Sequence, residues 1–334
     1  MFKRLLCCCY FALGCFLTAS GQQLPQSSLS SLNPFLVNPA FSGINDYTDV
    51  RMGHRRQWVG FDDAPVTTSL TANLPLGAGE KVSNRVNSPR YSSRSAAPVS
   101  APEGTIRWGA GAQLVADQTG MTERTTGLFT GAVHFSLAND WQLSAGIGAG
   151  LLQYTLRFDK IHTANPDPIL VDWKVAFWRP FFSVGTVLQH KNFMAGLSVL
   201  SPNSTRINYK IGSQEVDNKI VPHFYGTALY RISLDNDWAV LPQVWVKAAG
   251  KSTVSLDYQV RVQYADRFWG GVLHRSQESL GFQLGLGLTP LVSVGYAYEY
   301  PLSKISVSSS GSHEIMIGFR FNNRSRIYCP PLGW

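Results

Sequence analysis

From Val66 to Leu76 the chain keeps strict time. Val66, Leu70, Ala72 and Leu74 fall on even positions, and Thr67, Ser69, Thr71 and Asn73 on odd ones. Successive side chains of a strand point to opposite faces, so this stretch predicts a strand with one apolar and one wet face. The same alternation returns along the chain. Ile106, Trp108, Ala110, Ala112 and Leu114 share a face, as do Phe129, Val133, Phe135 and Leu137, then Val254, Leu256, Tyr258, Val260, Val262 and Tyr264. Segments 48–58, 66–76, 105–117, 127–137, 141–151, 176–188, 193–199, 224–234, 238–247, 254–264, 268–275, 280–288, 291–300 and 313–321 make fourteen candidate strands. Residues 238–247 are less regular because of Pro242, and 268–275 are short.

Strands of about 9–11 residues cross a bilayer at a tilt. The opposite faces carry Gly, Ser, Thr and Gln with charges of both signs, among them Arg107, Asp117, Arg231, Asp257, Arg261, Glu299, Glu314 and Arg320. An apolar exterior around a polar, charge-laddered interior predicts an all-β fold. The expected form is a transmembrane antiparallel β-barrel of about 14 strands, even in number, with both termini periplasmic. A soluble β-sandwich also alternates, but its outer faces should hold more Lys and Glu. The connections favour the barrel. Tight turns at 139–140, 190–192, 235–237, 265–267 and 289–290 alternate with longer loops at 157–175, 201–222 and 301–312, and with intermediate ones at 118–124, 248–252 and 276–279. Trp141, Phe193, Trp238 and Phe268-Trp269 follow four tight turns, where amphipathic rings reach headgroup depth.

Composition changes the picture in three places. Charged residues are 15% of the chain and aromatics 12%, against a soluble average of about 25% charged. Lys3 and Arg4, the uncharged run 5–18 and Ala19-Ser20-Gly21 read as an export signal over residues 1–21, and Leu13-Gly14-Cys15 resembles part of a lipobox. Four cysteines (Cys7, Cys8, Cys9 and Cys15) would leave with that signal, so Cys329 could form no internal disulfide. Losing Lys3 and Arg4 lowers the formal charge from +8 by two, to +6, with no dense basic stripe; nucleic acid is not an expected partner.

The expected organisation is a signal at 1–21, an N-terminal periplasmic or plug segment at 22–47, a barrel over 48–321, and a tail at 322–334. One periplasmic connection, 77–104, is long, Ser/Pro/Ala-rich and basic through Lys81, Arg85, Arg90 and Arg94. It reads either as a solvated insertion or as a docking arm for an acidic partner. Catalytic chemistry is thin. The seven histidines lack metal-ligand spacing, His313-Glu314 does not open an HExxH motif, and there is no phosphate-binding loop, so no metal or cofactor is expected. His134, Ser136 and Asn139 could mimic the hydrolytic sites of outer-membrane phospholipases, but the alternation points His134 and Ser136 into the lumen.

The segment from Asn38 to Leu76 resembles the N-terminal signature of the PorP/SprF family of type IX secretion outer-membrane proteins. The matching residues are Asn38-Pro39-Ala40, Gly43, the corner Arg56-Gln57-Trp58 with Gly60, and Ala64-Pro65 leading to Leu74-Pro75. A second match runs through Gly295-Tyr296, Tyr298 and Ser312-His313-Glu314-Ile315. The resemblance implies an accessory component of protein export across the outer membrane of Bacteroidetes, in some members for gliding adhesins, and not an enzyme. It implies periplasmic ring and translocon components and a secreted cargo protein as partners, with outer-membrane lipid around the wall. Physically, Asn38-Pro39 fixes an extended or turn geometry, Gly43 permits positive φ, and Arg56 could pair with Asp62 or Asp63 beside an interfacial Trp58. The corner reads either as part of a plug that registers the first strand or as a partner-binding surface. A passive porin or transporter is the alternative function, and a lipid hydrolase a more distant one.

Overall fold

A computed structural model describes residues 26–77, 102–157, 174–203, 205–211, 214–235, 237–250, 254–265, 267–276 and 278–323. The strands are β1 (Thr48–Arg56), β2 (Val66–Leu76), β3 (Ile106–Thr119), β4 (Thr122–Ser136), β5 (Gln142–Arg157), β6 (Lys174–Gln189), β7 (Phe193–Leu200), β8 (Thr205–Ile211), β9 (Gln214–Ile220), β10 (His223–Tyr230), β11 (Ile232–Ser233), β12 (Trp238–Ala249), β13 (Ser255–Tyr264), β14 (Phe268–Arg275), β15 (Ser279–Gly287), β16 (Val292–Pro301) and β17 (Ser312–Phe321). Each wall strand pairs antiparallel with its neighbours. β1 pairs with both β2 and β17, and β10 with both β7 and β12. The sheet therefore closes on itself as a barrel of fourteen principal strands, leaving no free wall edge in most of its circumference.

Closure explains why alternation was so regular. Phe129, Ile147, Leu197 and Leu284 point outward and exposed, while His134, Ser144, Asp257, Gln259 and Arg275 point inward and are buried. An apolar outside that stays uncovered is the arrangement of a membrane barrel. Thr48 and Phe321, partners in the β1–β17 register, mark the end that carries the short turns. Short turns are periplasmic in such barrels, so loops 57–65 and 302–311 lie at the outer end.

Two departures from the expected strands have local causes. β3 runs to Thr119 and β4 begins at Thr122, so the expected loop 118–124 shrinks to a two-residue turn at Gly120-Met121, and β5 likewise extends to Arg157. Beyond Leu151 the polarity inverts: Leu152, Tyr154 and Leu156 are buried inside, whereas Arg157 and Glu123 form a 2.9 Å ion pair. The adjacent Leu151-Leu152 hides this switch, because a strand whose apolar face changes side reads as a strand that has ended. The expected loop 201–222 contains the hairpin β8–β9, a two-stranded sheet that pairs with no other strand among the described residues.

Proline shapes two places in the wall. Pro242 lies where β10 stops at the Leu229–Gln243 pair, and β11 resumes the same register at Ile232–Val240; the missing N–H explains the break. The outer half of β6, before Ser183, has only β5 as a partner among the described residues. That edge is blunted by Pro180, and the Trp178 carbonyl already accepts a hydrogen bond from Arg179 Nη1 at 3.0 Å.

Candidate functional site: the filled lumen

Inside the wall lies the chain's own N-terminal segment. Residues 26–47 descend through the lumen from the outer end to the start of β1, with two 3₁₀ turns at Pro34–Leu36 and Pro39–Phe41. Leu29, Phe35, Ala40, Phe41 and Tyr47 are buried, as are the polar Ser28, Ser31, Asn33, Asn38 and Ser42. The segment expected at 22–47 as periplasmic or plug is thus, over its described part, enclosed by the barrel. Most of its side chains are buried in the lumen, while Asp46, at the periplasmic end, remains exposed.

The wall meets this plug level by level. At the outer end Glu314 accepts from Ser27 Oγ and from the Ser28 backbone N–H, both at 2.6 Å. Arg55 donates to Ser28 Oγ and is paired with Glu299 at 3.1 Å and Glu314 at 3.3 Å. The network continues through Arg275, 3.1 Å from Glu299 and 3.2 Å from Asp257, to Lys247, 2.6 Å from Asp257. Three cations and three carboxylates thereby balance inside the wall, which is how buried charges persist. Lower down, Arg51 donates to the Leu32 carbonyl, Asn33 Nδ2 to Thr71 Oγ1 at 2.9 Å, and Gln113 Nε2 to the Phe35 carbonyl at 2.6 Å.

Asn38, Pro39 and Ala40 form the densest contact. The Asn38 carbonyl oxygen accepts from the Ala40 N–H at 3.0 Å and caps the second 3₁₀ turn. Its amide nitrogen donates to the carbonyls of Thr186 on β6 and Leu197 on β7, at 3.1 and 3.3 Å. Ala40 packs so near β5 that a Cβ on Gly146 would come within 2.5 Å of the Ala40 nitrogen. The missing side chain at Gly146 is therefore what admits the plug backbone at Pro39-Ala40. Gly43 has φ +62° and presses on Leu74 and Gly109, where no side chain fits.

His134 serves the same purpose. It is 0% exposed, donates from Nε2 to the Ser42 carbonyl at 2.9 Å and accepts from Ser144 Oγ at Nδ1, 2.7 Å away. Its serine partner is Ser144 on β5 and not Ser136. Both ring nitrogens are thus engaged, one by the wall and one by the plug backbone.

The corner at the outer end splits across the wall. Arg55 and Glu314 face in; Arg56 and His313, a direct cross-strand pair, face out and are exposed. Arg56 forms no ion pair among the described residues, so the expected bond to Asp62 or Asp63 is absent. Trp58 has φ +46° and its N–H donates to Ser312 Oγ at 3.1 Å, while the Gln57 N–H donates to the Pro65 carbonyl at 2.8 Å. The corner therefore ties loop 57–65 to β17. Trp269, expected at the interface, turns inward instead and lies against Gly285 and Gly295 with Arg261 over its ring at 5.7 Å. Trp141, Phe193 and Trp238 lie at the short-turn end as expected, with the Trp238 and Tyr264 rings 4.6 Å apart and tilted 45° to each other. Lys81, Arg85, Arg90 and Arg94 lie outside the described residues, as does the expected signal at 1–21.

The barrel carries its own N-terminal segment in the lumen, together with these two motifs. The family model described as "Type IX secretion system membrane protein PorP/SprF" matches residues 19–319. The chain belongs to the PorP/SprF family. A search of curated proteins found no match. Solved structures similar to this PorP/SprF protein are outer-membrane barrels. A Pseudomonas aeruginosa FadL homologue has 10% identity and TM-score 0.47, with 90% of this chain and 96% of that one covered. The CymD monoaromatic hydrocarbon channel has 9% identity and TM-score 0.47, covering 87% and 93%. Acinetobacter baumannii Omp33 has 8% identity and TM-score 0.45, covering 84% and 100%.

Proposed function

We propose that this PorP/SprF protein supports type IX export of a cargo protein to the cell surface as a sealed outer-membrane component. It works through contacts with periplasmic ring and translocon components, without catalysing a reaction and without conducting solutes. The observation that carries this reading is the lumen occupied by residues 26–47, hydrogen-bonded to the wall from Glu314 at the outer end to Arg107, which pairs with Asp46 at 2.6 Å near the periplasmic end. A barrel filled along its axis offers cargo its surfaces and not a passage. An adhesin of the gliding type is one cargo that the family suggests.

The test is a comparison of proteins released to the medium and shaved from the surface in wild type, a deletion strain and the complemented strain. A defined set of proteins should disappear from the outside, accumulate in the periplasm and return on complementation. An unchanged exterior with altered uptake of small solutes would replace this reading with that of a porin.

A further inference from the structure

The outward face of β1 changes character before the strand ends. From the periplasmic side it presents Val50, Met52, His54 and Arg56, and the neighbouring face of β17 presents Phe321, Phe319, Ile317, Ile315 and His313. Nine residues rising ~3.3 Å each at a tilt of about 40° climb roughly 23 Å, close to the apolar band of an outer-membrane wall. Arg56 and His313 thus stand where hydrocarbon gives way to the outer headgroups. In register, Arg56 opposes His313 and His313 opposes Tyr298, so a cation, an imidazole and a phenol form one row across β1, β17 and β16. Tyr296 OH hydrogen-bonds His313 Nδ1 at 2.7 Å and the Tyr298 ring lies 5.1 Å from the imidazole, which together fix the exposed ring and engage Nδ1 rather than Nε2. The Tyr298 hydroxyl donates to the Ser310 carbonyl at 2.8 Å, pinning loop 302–311 beside the row.

The charges are sorted by side. At this level every carboxylate of β13, β16 and β17 points into the lumen, where Asp257, Glu299 and Glu314 are buried in the plug network. Among the described residues Arg56, in the outward row, forms no ion pair with a carboxylate. A guanidinium at headgroup depth without a carboxylate is matched by a phosphate, which accepts its hydrogen bonds in pairs.

We propose that Arg56 and His313, framed by Tyr296 and Tyr298, bind the phosphate of an anionic lipid in the outer leaflet. Arg56 supplies the charged, two-pronged contact and His313 Nε2 a second hydrogen bond. The acyl chains lie below, along Met52, Ile315 and Leu70, which are all exposed. The proposal rests on the barrel's place in the membrane and not on its role in secretion.

The probe is diphosphorylated lipid A. The full-length protein is purified in detergent, incubated with it and examined by native mass spectrometry for retained lipid. Arg56→Gln and His313→Gln should each lower retention about tenfold, reflecting one lost charge-assisted or polar contact. Lys191→Gln, at the opposite rim, should leave it unchanged, and heat-modifiable migration reports that each variant remains folded. Dephosphorylated lipid A should be retained no better than by Arg56→Gln. Equal retention by wild type and Arg56→Gln would overturn the site. So would displacement of lipid A by an equimolar amount of inorganic phosphate, because a lipid site gains from the acyl chains.

Discussion

Arg55 and Arg56 are consecutive, carry the same side chain and lie on the same strand, yet they belong to two different environments. Arg55 is buried in the lumen between Glu299 and Glu314 and touches the plug at Ser28. Arg56 stands on the outside, exposed and opposite His313. Their partners divide in the same way, His313 to the outside and Glu314 to the inside. The difference teaches that sidedness, and not residue type, assigns chemistry in this protein. One step along a strand moves a charge from a sealed ion network to the lipid boundary.

Breaking the inner half of this comparison should have the larger effect. Arg55→Ala leaves the buried Glu314 without its cation, leaves Glu299 with Arg275 alone, and removes the hydrogen bond to Ser28. Leaving one partner of a buried pair uncompensated costs about 3–5 kcal/mol, so urea unfolding in vesicles, followed by tryptophan fluorescence, should shift strongly to lower denaturant. The outer half should barely respond. Arg56→Gln touches no ion pair within the protein and should change stability by less than about 0.5 kcal/mol in the same assay. Equal losses for the two variants would mean that the wall does not separate them.

Much of the fold was legible because a closed wall imposes one rule on every strand. All fourteen wall strands lie where alternation places them, including the irregular 238–247, whose Pro242 marks the β10–β11 break. The rule failed where its premise failed. Above the membrane β4 and β5 face water outside and an apolar cluster of Leu128, Leu152 and Phe181 inside, so the pattern inverts and the strands looked shorter than they are. The site was less legible. Asn38-Pro39-Ala40, Gly43 and Glu314 were singled out, but the register that brings Asn38 to Thr186 and Leu197, or Ser27 to Glu314, spans separations that local patterns do not encode. Arg275, with 0% exposure, and Lys247 were not picked out at all, since a lone inward cation in sequence gives no sign of the carboxylates facing it across the barrel. The inward turn of Trp269 could have been anticipated from Gly271, Leu273 and Arg275, which share its parity and point into the lumen.

The account stands or falls on the plug. Planar-bilayer recording of the full-length protein tests it most directly, with a variant lacking residues 28–44 as the reference for an emptied wall. The predicted result is silence from the full-length protein and stepwise conductance from the shortened one. A steady open channel in the full-length protein would contradict the sealed lumen from which the functional reading follows.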